Sequence, residues 1–313
     1  MNRRHPVHVW LAVLLASFAT SAASAQQLDR VFVSQREGGD NARCGGIDKP
    51  CATFAFAATR ALAGGRVMVL DSGEYGPVTI TKSLTIEAPE GVFALISRPT
   101  APARSAVEVD AGVDDVVTLR GLTMSSNPPM GVWGVRLTSG RVLHVEKCTF
   151  DGFQMGVEVF PFSGEHDIFV TGSVFRGNGD GVRFVQAGTS SVRGTVDRCT
   201  LERNFVGIGI HDGAVVSIRN CTIAGNIMYG LEVGSSVATF TEFNVESCLI
   251  SGSDTAVWFD NANTRGRMSN TTVVNNLVGL SGLGIGRELL SRGNNTVEGN
   301  TIDGSFTGTF LAK

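Results

Sequence analysis

Four charged residues share one position of a repeating pattern and have the chemistry of an acid–base set. They are Glu146, Asp197, Arg219 and Glu246, and each stands two residues before an equivalent point of its repeat. A carboxylate can take a proton from a substrate, and a guanidinium beside it can neutralise a substrate carboxylate. Two carboxylates can also divide the acid and base roles of a hydrolysis reaction. Such a set can act only if the fold brings these side chains to one surface.

A second interpretation of the same column needs no substrate. The column runs from Arg120 to Ser269 and mixes acidic with basic residues. Opposite charges that follow one another across neighbouring strands relieve repulsion on an exposed sheet face. Both interpretations remain open at the level of the sequence.

Polar and aromatic residues in the wider turns are candidates for substrate binding. His211 and Asp212 follow a predicted strand, and Trp258 is expected to project outward. His166 lies in residues 160–167, which we expect to form the longest loop on the same side. An aromatic ring beside carboxylates and amides is typical of a sugar-binding face, because the ring stacks on the C–H side of a pyranose. The same residues can instead pack within the loops.

Motifs for several other kinds of chemistry are missing from the sequence. It contains no Ser-His-Asp order, zinc-binding His motif, phosphate loop or EF-type calcium loop. We therefore predict no cofactor and no metal site. The formal net charge of −3 leaves no basic patch, so a nucleic-acid partner is not expected.

The elements that must position these residues come from a pattern repeated eight times between Leu122 and Asn295. Two residues after each starting position stands an apolar residue, and five residues after it Asn recurs in six of the eight copies. Successive copies are 22 to 27 residues apart, with the starting positions at Leu122, Cys148, Ser173, Cys199, Cys221, Cys248, Thr271 and Asn295. A repeat of this length predicts a solenoid in which each copy stacks on the previous one.

The alternation of residues within one copy predicts three short strands per coil. In the copy around Cys221, Ile218 and Ile223 are expected to face inward and Glu232 outward. Neighbouring coils would lie about 4.8 Å apart, so that like residues stack. An Asn at a turn, such as Asn226, can then hydrogen-bond its copies above and below.

The repeat resembles that of the bacterial right-handed parallel β-helix proteins, which have the pectin-lyase-like fold. The resemblance lies in stretches such as residues 219–226, RNCTIAGN, followed by residues 229–233, YGLEV. It implies an all-β fold, a single-stranded right-handed parallel β-helix with three strands per coil and an N-terminal capping α-helix. Lyases, hydrolases, epimerases and adhesins share this fold. The calcium-binding Asp cluster of pectate lyases and the paired Asp motifs of polygalacturonases are not recognisable here.

In enzymes of this fold the strand face that carries the charged column commonly holds the active site. The resemblance therefore implies that Glu146, Asp197, Arg219 and Glu246 are the catalytic residues. If the protein is an enzyme, it is expected to be a polysaccharide lyase, an epimerase or a glycoside hydrolase.

The two ends of the chain predict export and a capped solenoid. Residues 1–25 read as a signal peptide, with Arg3 and Arg4 before an apolar run and Ala-Ser-Ala before the cleavage point. Residues 26–65 are expected to form a strand, a disulfide loop and a capping helix, and residues 66–313 the β-helix. The apolar run is too short to span a bilayer, and membrane insertion is not predicted.

The capping helix is expected from Phe54 to about Ala63, with Thr53 as its N-cap and an apolar face that includes Leu62. Cys44 and Cys51 lie in an irregular loop, a setting in which a disulfide forms in exported proteins. The remaining cysteines, Cys148, Cys199, Cys221 and Cys248, occupy one inward position and are expected to be buried free thiols.

These observations predict an exported protein, periplasmic or secreted, that binds or processes extracellular or cell-envelope carbohydrate, with a polysaccharide as the expected partner. One alternative is a non-enzymatic surface, adhesion or structural module. A second alternative is a polysaccharide lyase or epimerase without a recognisable motif.

Overall fold

The three strands of each coil fall into three parallel sheets that run along the solenoid. In the computed structural model the described residues are 27–97, 104–126, 132–235 and 239–311. The predicted signal peptide, residues 1–25, and one member of the Asn column, Asn127, lie outside them. The chain passes through the sheets in the order A, B, C and then returns to sheet A, so every pairing joins one coil to the next. This confirms the predicted right-handed parallel β-helix with three strands per coil.

The strands of each sheet follow one another at intervals of one coil. Sheet A, which precedes the cysteine position, consists of Leu28–Val33, Ala61–Val69, Leu84–Glu87, Val116–Arg120, Val142–Glu146, Ser163–Thr171, Thr189–Asp197, Val215–Arg219, Thr241–Glu246, Thr264–Ser269, Arg287–Ser291 and Gly308–Thr309. Sheet B consists of Gly73–Glu74, Ala94–Ser97, Leu122–Ser125, Thr149–Asp151, Val174–Arg176, Thr200–Glu202, Thr222–Ala224, Leu249–Ser251, Thr272–Val274 and Thr296–Val297. Sheet C consists of Val78–Ile80, Ser105–Asp110, Trp133–Ser139, Met155–Val159, Asp180–Val185, Val206–His211, Tyr229–Gly234, Thr255–Phe259 and Val278–Ser281.

The core is a set of stacked apolar columns in the predicted register. Phe150, Phe175, Leu201, Ile223 and Ile250 are direct neighbours on successive strands of sheet B and are all fully buried. The rings of Phe150 and Phe175 stack with their centroids 4.7 Å apart. Burial of this kind is the main stabilising term for a solenoid, because each coil covers the apolar residues of its neighbours.

The cysteines divide as the sequence predicts. Cys44 and Cys51 form a disulfide, whereas Cys148, Cys199, Cys221 and Cys248 are free and buried. Each thiol of this column donates to the carbonyl oxygen two residues earlier, as in the 3.1 Å contact from Cys221 Sγ to Arg219 O. The free thiols therefore pack as small hydrophobic groups with a satisfied donor.

The Asn column forms a buried hydrogen-bonded ladder. Asn178 Nδ2 donates to Asn204 Oδ1 at 2.9 Å, and Asn204 Nδ2 donates to Asn226 Oδ1 at 3.1 Å. The side-chain nitrogens of Asn178, Asn204 and Asn226 also donate to backbone carbonyls of the preceding coil. Ser253 interrupts the ladder, and its buried hydroxyl has no hydrogen-bond partner in the described part of the chain. The ladder resumes from Asn276 to Asn300, where Nδ2 and Oδ1 are 2.8 Å apart.

The capping helix is shorter than predicted. It spans Phe54–Arg60, and Thr53 caps it by accepting a 3.2 Å hydrogen bond from the Phe56 N–H. The prediction that it continues to Ala63 with Leu62 on its apolar face is wrong, because strand pairing begins at Ala61 and leaves Leu62 exposed. Among the described residues no helix is long and apolar enough to cross a membrane.

Candidate functional site

The predicted catalytic residues lie on one column of the outer face of sheet A. Glu146, Thr171, Asp197, Arg219 and Glu246 are paired in direct register on successive strands. Neighbouring strands are about 4.8 Å apart. Asp197, Arg219 and Glu246 therefore meet the spacing requirement for acting on one substrate group.

The environment of Asp197 differs from the exposed carboxylate that strand alternation suggests. Its side chain is 4% exposed, and its Oδ1 lies 3.0 Å from Asn220 Nδ2 and 3.4 Å from Arg219 Nε. Its Oδ2 lies 3.0 Å from Arg198 Nη1. Arg198 and Asn220 both occupy turns with positive φ, which aims their side chains at the column. Asp197 thus serves as an anchor for surrounding donors, and Arg219 and Glu246 are the more accessible members of the set.

Glu146 belongs to a line of ion pairs at the beginning of sheet A. Arg120 Nε lies 2.7 Å from Glu146 Oε2, and Arg120 Nη1 lies 3.3 Å from Glu87 Oε2. Hydrogen bonding to Glu146 raises the pKa of Arg120. These contacts support the charge-alternation interpretation for this part of the column, since each charge has an opposite partner.

A groove of about 690 Å³ lies beside this line of ion pairs. Its floor is largely apolar, and the ion pair between Lys147 and Glu90, 2.7 Å apart, lies at its edge. The groove is lined by Phe32, Met68, Val69, Leu70, Glu87, Ala88, Pro89, Glu90, Gly91, Val92, Arg120, Gly121 and Lys147. The charged residues that line the groove, Glu87, Glu90, Arg120 and Lys147, all form ion pairs. Among its described lining residues the groove therefore offers mainly an apolar surface.

Two of the predicted substrate-binding residues have local roles. His166 does not lie in a loop: it is in the strand Ser163–Thr171, is buried, and has its ring nitrogens 2.6 Å from Gly140 O and 2.8 Å from Ser163 O. Asp212 occupies a turn with φ of 55° next to His211, whose pKa it acts to raise. The other two, His211 and Trp258, lie on the outer face of sheet C.

The outer face of sheet C carries a row of charged and aromatic residues that we call the central row. Its members are paired in direct register on successive strands, and they are Glu108, Arg136, Glu158, Arg183, Gly209, Glu232 and Trp258. Arg136 Nε lies 3.0 Å from Glu158 Oε2, and its guanidinium lies over the ring of Trp133. The row thus changes from paired charges at its start to an aromatic residue at its end.

The lack of a side chain at Gly209 leaves room for the His211 ring in the middle of the central row. A Cβ atom at this position would lie 3.0 Å from His211 Nε2 and 3.5 Å from Asp180 Oδ2. Glu232 Oε2 lies 4.0 Å from His211 Nε2, and Arg183 Nη1 lies 3.2 Å from Asp180 Oδ2. We call this group, Asp180, Arg183, His211 and Glu232 around Gly209, the Gly209 pit. A side chain at residue 209 would press against the His211 ring.

Burial shifts the pKa values of Asp180, Glu232 and His211 in the Gly209 pit. It raises the pKa of Asp180 against the lowering effect of Arg183, and repulsion from Glu158 adds to the rise. Burial also raises the pKa of Glu232, as does repulsion from Asp180. Burial lowers the pKa of His211 to about 4, and the charge of Arg183 contributes. A cluster of groups with shifted pKa values is typical of sites that carry out acid–base chemistry.

His211 has an unmet hydrogen-bonding capacity. Its Nε2 is shielded from solvent and has no hydrogen-bond partner in the part of the chain that the structure describes. An unpaired buried nitrogen costs about 1–3 kcal/mol.

An aromatic pair lies immediately beyond the pit. The rings of Tyr229 and Trp258 are stacked nearly parallel, with centroids 5.7 Å apart and planes at 5°. Burial raises the pKa of Tyr229, and the negative charges of Glu232, Asp260 and Asp254 add to the rise. Each ring thus covers part of one face of the other, and both side chains remain partly exposed beside these carboxylates.

Trp258 and His211 of this face were predicted from the sequence as substrate-binding residues, but the Gly209 pit was not predicted. Asp180, Arg183 and Gly209 were not among the predicted site residues. A usable signal exists, because most sheet C strands have Gly as their second residue and the residue two positions after it faces outward, as in Gly181-Val182-Arg183 and Gly230-Leu231-Glu232. Reading that position down the repeats would have given the central row.

Comparison with known proteins identifies the family and supports the fold. The family described as right handed beta helix region matches residues 105–278. Among solved structures, pectate lyase Pel9A is similar over 88% of this chain and 80% of its own, at 13% identity and a TM-score of 0.58. A rhamnogalacturonan lyase covers 88% of both chains at 13% identity and a TM-score of 0.45. The A-module of the Azotobacter vinelandii mannuronan C-5 epimerase AlgE4 covers 83% of this chain and 93% of its own at 13% identity and a TM-score of 0.34.

No curated protein sequence matches this chain significantly. At 13% identity the structural likenesses concern the fold alone. The family match covers more than half of the 313 residues. This protein belongs to the right handed beta helix family.

Proposed function

We propose that the protein binds a carbohydrate polymer along the outer face of sheet C. The observation that carries the proposal is the stacked pair Tyr229 and Trp258 next to the partly buried carboxyl groups of the Gly209 pit. Aromatic faces stack on the apolar side of sugar rings, while carboxylates accept hydrogen bonds from hydroxyl groups. The strands repeat about every 4.8 Å, which suits a ligand that is itself a chain of similar units.

The structural similarity to a pectate lyase supports the fold but gives no information about the substrate of this protein. The proposal rests on the chemistry of sheet C. The carboxyl groups of Asp180 and Glu232 also supply the pit with acid–base capacity, so a bound polymer can be cleaved there as well as held. Binding is the primary claim, and turnover is a separate measurement.

A glycan array followed by titration calorimetry tests the proposal. We expect the parent protein to bind one class of polymer, and Trp258→Ala and Tyr229→Ala to weaken that binding at least tenfold with little change in melting temperature. Phe169→Ala is the matched control, because Phe169 is a large, partly exposed aromatic residue on sheet A. Binding that survives both sheet C substitutions, or is lost in Phe169→Ala, would refute the assignment of the face. The absence of binding to every glycan would refute the proposed function.

A second candidate function is uronate lysis or epimerisation on sheet A. The observation in its favour is that the half-exposed guanidinium of Arg219 lies between Asp197 and Glu246 in direct register. Arg219 would neutralise a substrate carboxylate, Glu246 would take the proton, and Asp197 would position Arg219. Arg219→Ala is then expected to abolish turnover of uronate polymers while the melting temperature changes little, since exposed ion pairs contribute about 0–1 kcal/mol. Turnover that persists in this variant would remove Arg219 from the mechanism.

We also propose that the protein acts outside the cytoplasm. The Cys44–Cys51 disulfide supports an oxidising compartment. Cleavage after Ala25 on expression, read by mass spectrometry of the mature N-terminus, tests this part of the proposal. Recovery of the uncleaved chain from the cytoplasm would contradict it.

A further inference from the structure

The charge on sheet C selects among the polymers that the proposed binding face can accept. The described strands of this sheet carry five carboxyl groups, Glu108, Asp110, Glu158, Asp180 and Glu232, and two guanidinium groups, Arg136 and Arg183. The carboxylates therefore exceed the cations.

One of these carboxyl groups, Glu232, lies beside the aromatic pair. Arg136 and Arg183 both lie before Gly209, where they face Glu158 and Asp180. No Lys or Arg occurs in the described sheet C strands after Arg183. The negative charges of Glu232, Asp254 and Asp260 act on Tyr229, while Arg183, two strands away from Glu232, partly offsets the charge of that residue.

Several of these carboxyl groups already bear an electrostatic cost. Burial and mutual repulsion raise the pKa values of Asp180, Glu158 and Glu232. A polyuronate would bring one more carboxylate per sugar unit into this region and increase the repulsion. A ligand that carries ammonium groups would relieve it, and an ammonium is also attracted to the face of a Trp ring.

We propose that the sheet C face binds a polymer of amino sugars with free amino groups, rather than a polyuronate. This inference rests on the proposed carbohydrate-binding function and narrows it to one substrate class. Trp258 and Tyr229 stack on the sugar ring, and Glu232 with the carboxylates of Asp254 and Asp260 accepts hydrogen bonds from the ammonium groups.

Titration calorimetry at pH 6 and low salt with three hexasaccharides of matched length tests the inference. They are oligomers of glucosamine, of N-acetylglucosamine and of galacturonic acid. We expect the glucosamine oligomer to bind about tenfold more tightly than its N-acetylated form, and the galacturonate oligomer to bind most weakly. The preference should shrink as salt is raised to 0.5 M, because salt screens exposed charges.

Substitution separates this inference from the function on which it rests. Glu232→Gln keeps the shape of the side chain, and it should reduce the preference for the amino form several-fold while binding of the N-acetylated form remains. Glu202→Gln makes the same change on sheet B and should leave all affinities as in the parent.

The possible outcomes point to different conclusions. Equal or tighter binding of the N-acetylated or galacturonate oligomer, abolished by Trp258→Ala, would overturn the substrate class and leave the carbohydrate-binding function standing. Binding of none of the three oligomers, together with a blank glycan array, would overturn the function itself. A preference for the amino form that is unchanged in Glu232→Gln would overturn the role given to this carboxylate.

Discussion

Ser253→Asn should stabilise the protein, because it fills the one interruption between Asn178 and Asn300 in the described ladder. In each intact step the side-chain nitrogen donates to the next Asn and to a carbonyl of the preceding coil. Asn204, for example, donates to Asn226 Oδ1 at 3.1 Å and to Phe175 O at 3.2 Å. Asn at residue 253 would make the equivalent bonds to Asn276 Oδ1 and Ile223 O and would offer its own Oδ1 to Asn226.

Glycine residues of sheet C leave room for an Asn side chain at residue 253. The Nδ2 atoms of Asn204 and Asn226 lie 3.4 and 3.1 Å from the positions that Cβ atoms on Gly181 and Gly207 would occupy. Gly230 holds the corresponding position beside residue 253. The larger amide can therefore enter without displacing a neighbouring side chain.

The expected gain is about 2 kcal/mol. Three added hydrogen bonds contribute about 1 kcal/mol each, and fixing the Asn side chain costs about 1 kcal/mol. The substitution also removes the buried Ser253 hydroxyl that lacks a partner. The melting temperature should rise by about 4 °C, measured by calorimetry and checked by the midpoint of urea unfolding.

The reciprocal substitution is the matched control. Asn204→Ser opens an equivalent gap in the intact ladder and should lower the free energy of unfolding by about 2 kcal/mol. If Ser253→Asn melts at or below the parent temperature while Asn204→Ser melts like the parent, the ladder contributes no net stability and the reasoning fails.

Three further predictions concern charges and thiols. The pKa of His211 falls from 6.5 to about 4 on folding, so between these pH values only the unfolded chain takes up the proton. Acidification from pH 6.5 to 4 should therefore destabilise the parent protein by about 3 kcal/mol more than it destabilises His211→Asn. Equal pH dependence of urea unfolding in both proteins would contradict the shift. Asp197→Ala should cost about 2 kcal/mol, because three donors lose their acceptor, whereas Arg219→Ala should cost less than about 1 kcal/mol; equal urea midpoints would show that Asp197 is not an anchor. A thiol reagent should label no cysteine in the native protein and four after denaturation without reductant; labelling of six would refute the disulfide, and labelling of native protein would refute the burial of the cysteine column.

The sequence determines the coil and its register because both depend on contacts between equivalent residues. The column from Phe150 to Ile250 and the buried cysteines lie as predicted, since a residue that recurs at one repeat position must stack on its own copies. The helix end was misplaced because pairing of the first strand with Ala61 overrides local helix propensity.

The candidate site was harder to predict because its features arise between coils. The burial of Asp197 depends on Asn220, which comes from the next coil and reaches back from a turn with positive φ. The Gly209 pit is visible only when the outward residues of several coils are set side by side, and a glycine in a sequence offers no side chain to suggest a site. The preference of His166 for the strand Ser163–Thr171 depends on its pairing with Thr189–Asp197.

The pairing of each strand with the next coil also bears on how the chain folds. Partners in the sheet A column are 22 to 27 residues apart, as between Asp197 and Arg219 or Arg219 and Glu246. Divided by the 313 residues of the chain, this separation gives a relative contact order of about 0.08, in the range of helical bundles rather than of β-sandwiches. Parallel strands are slow to form when long loops must close first, but most of the paired strands in sheet A are separated by a similar, modest length of chain. A nucleus of two or three coils can therefore grow by adding one neighbour at a time, so that the size of this protein places little burden on its folding rate.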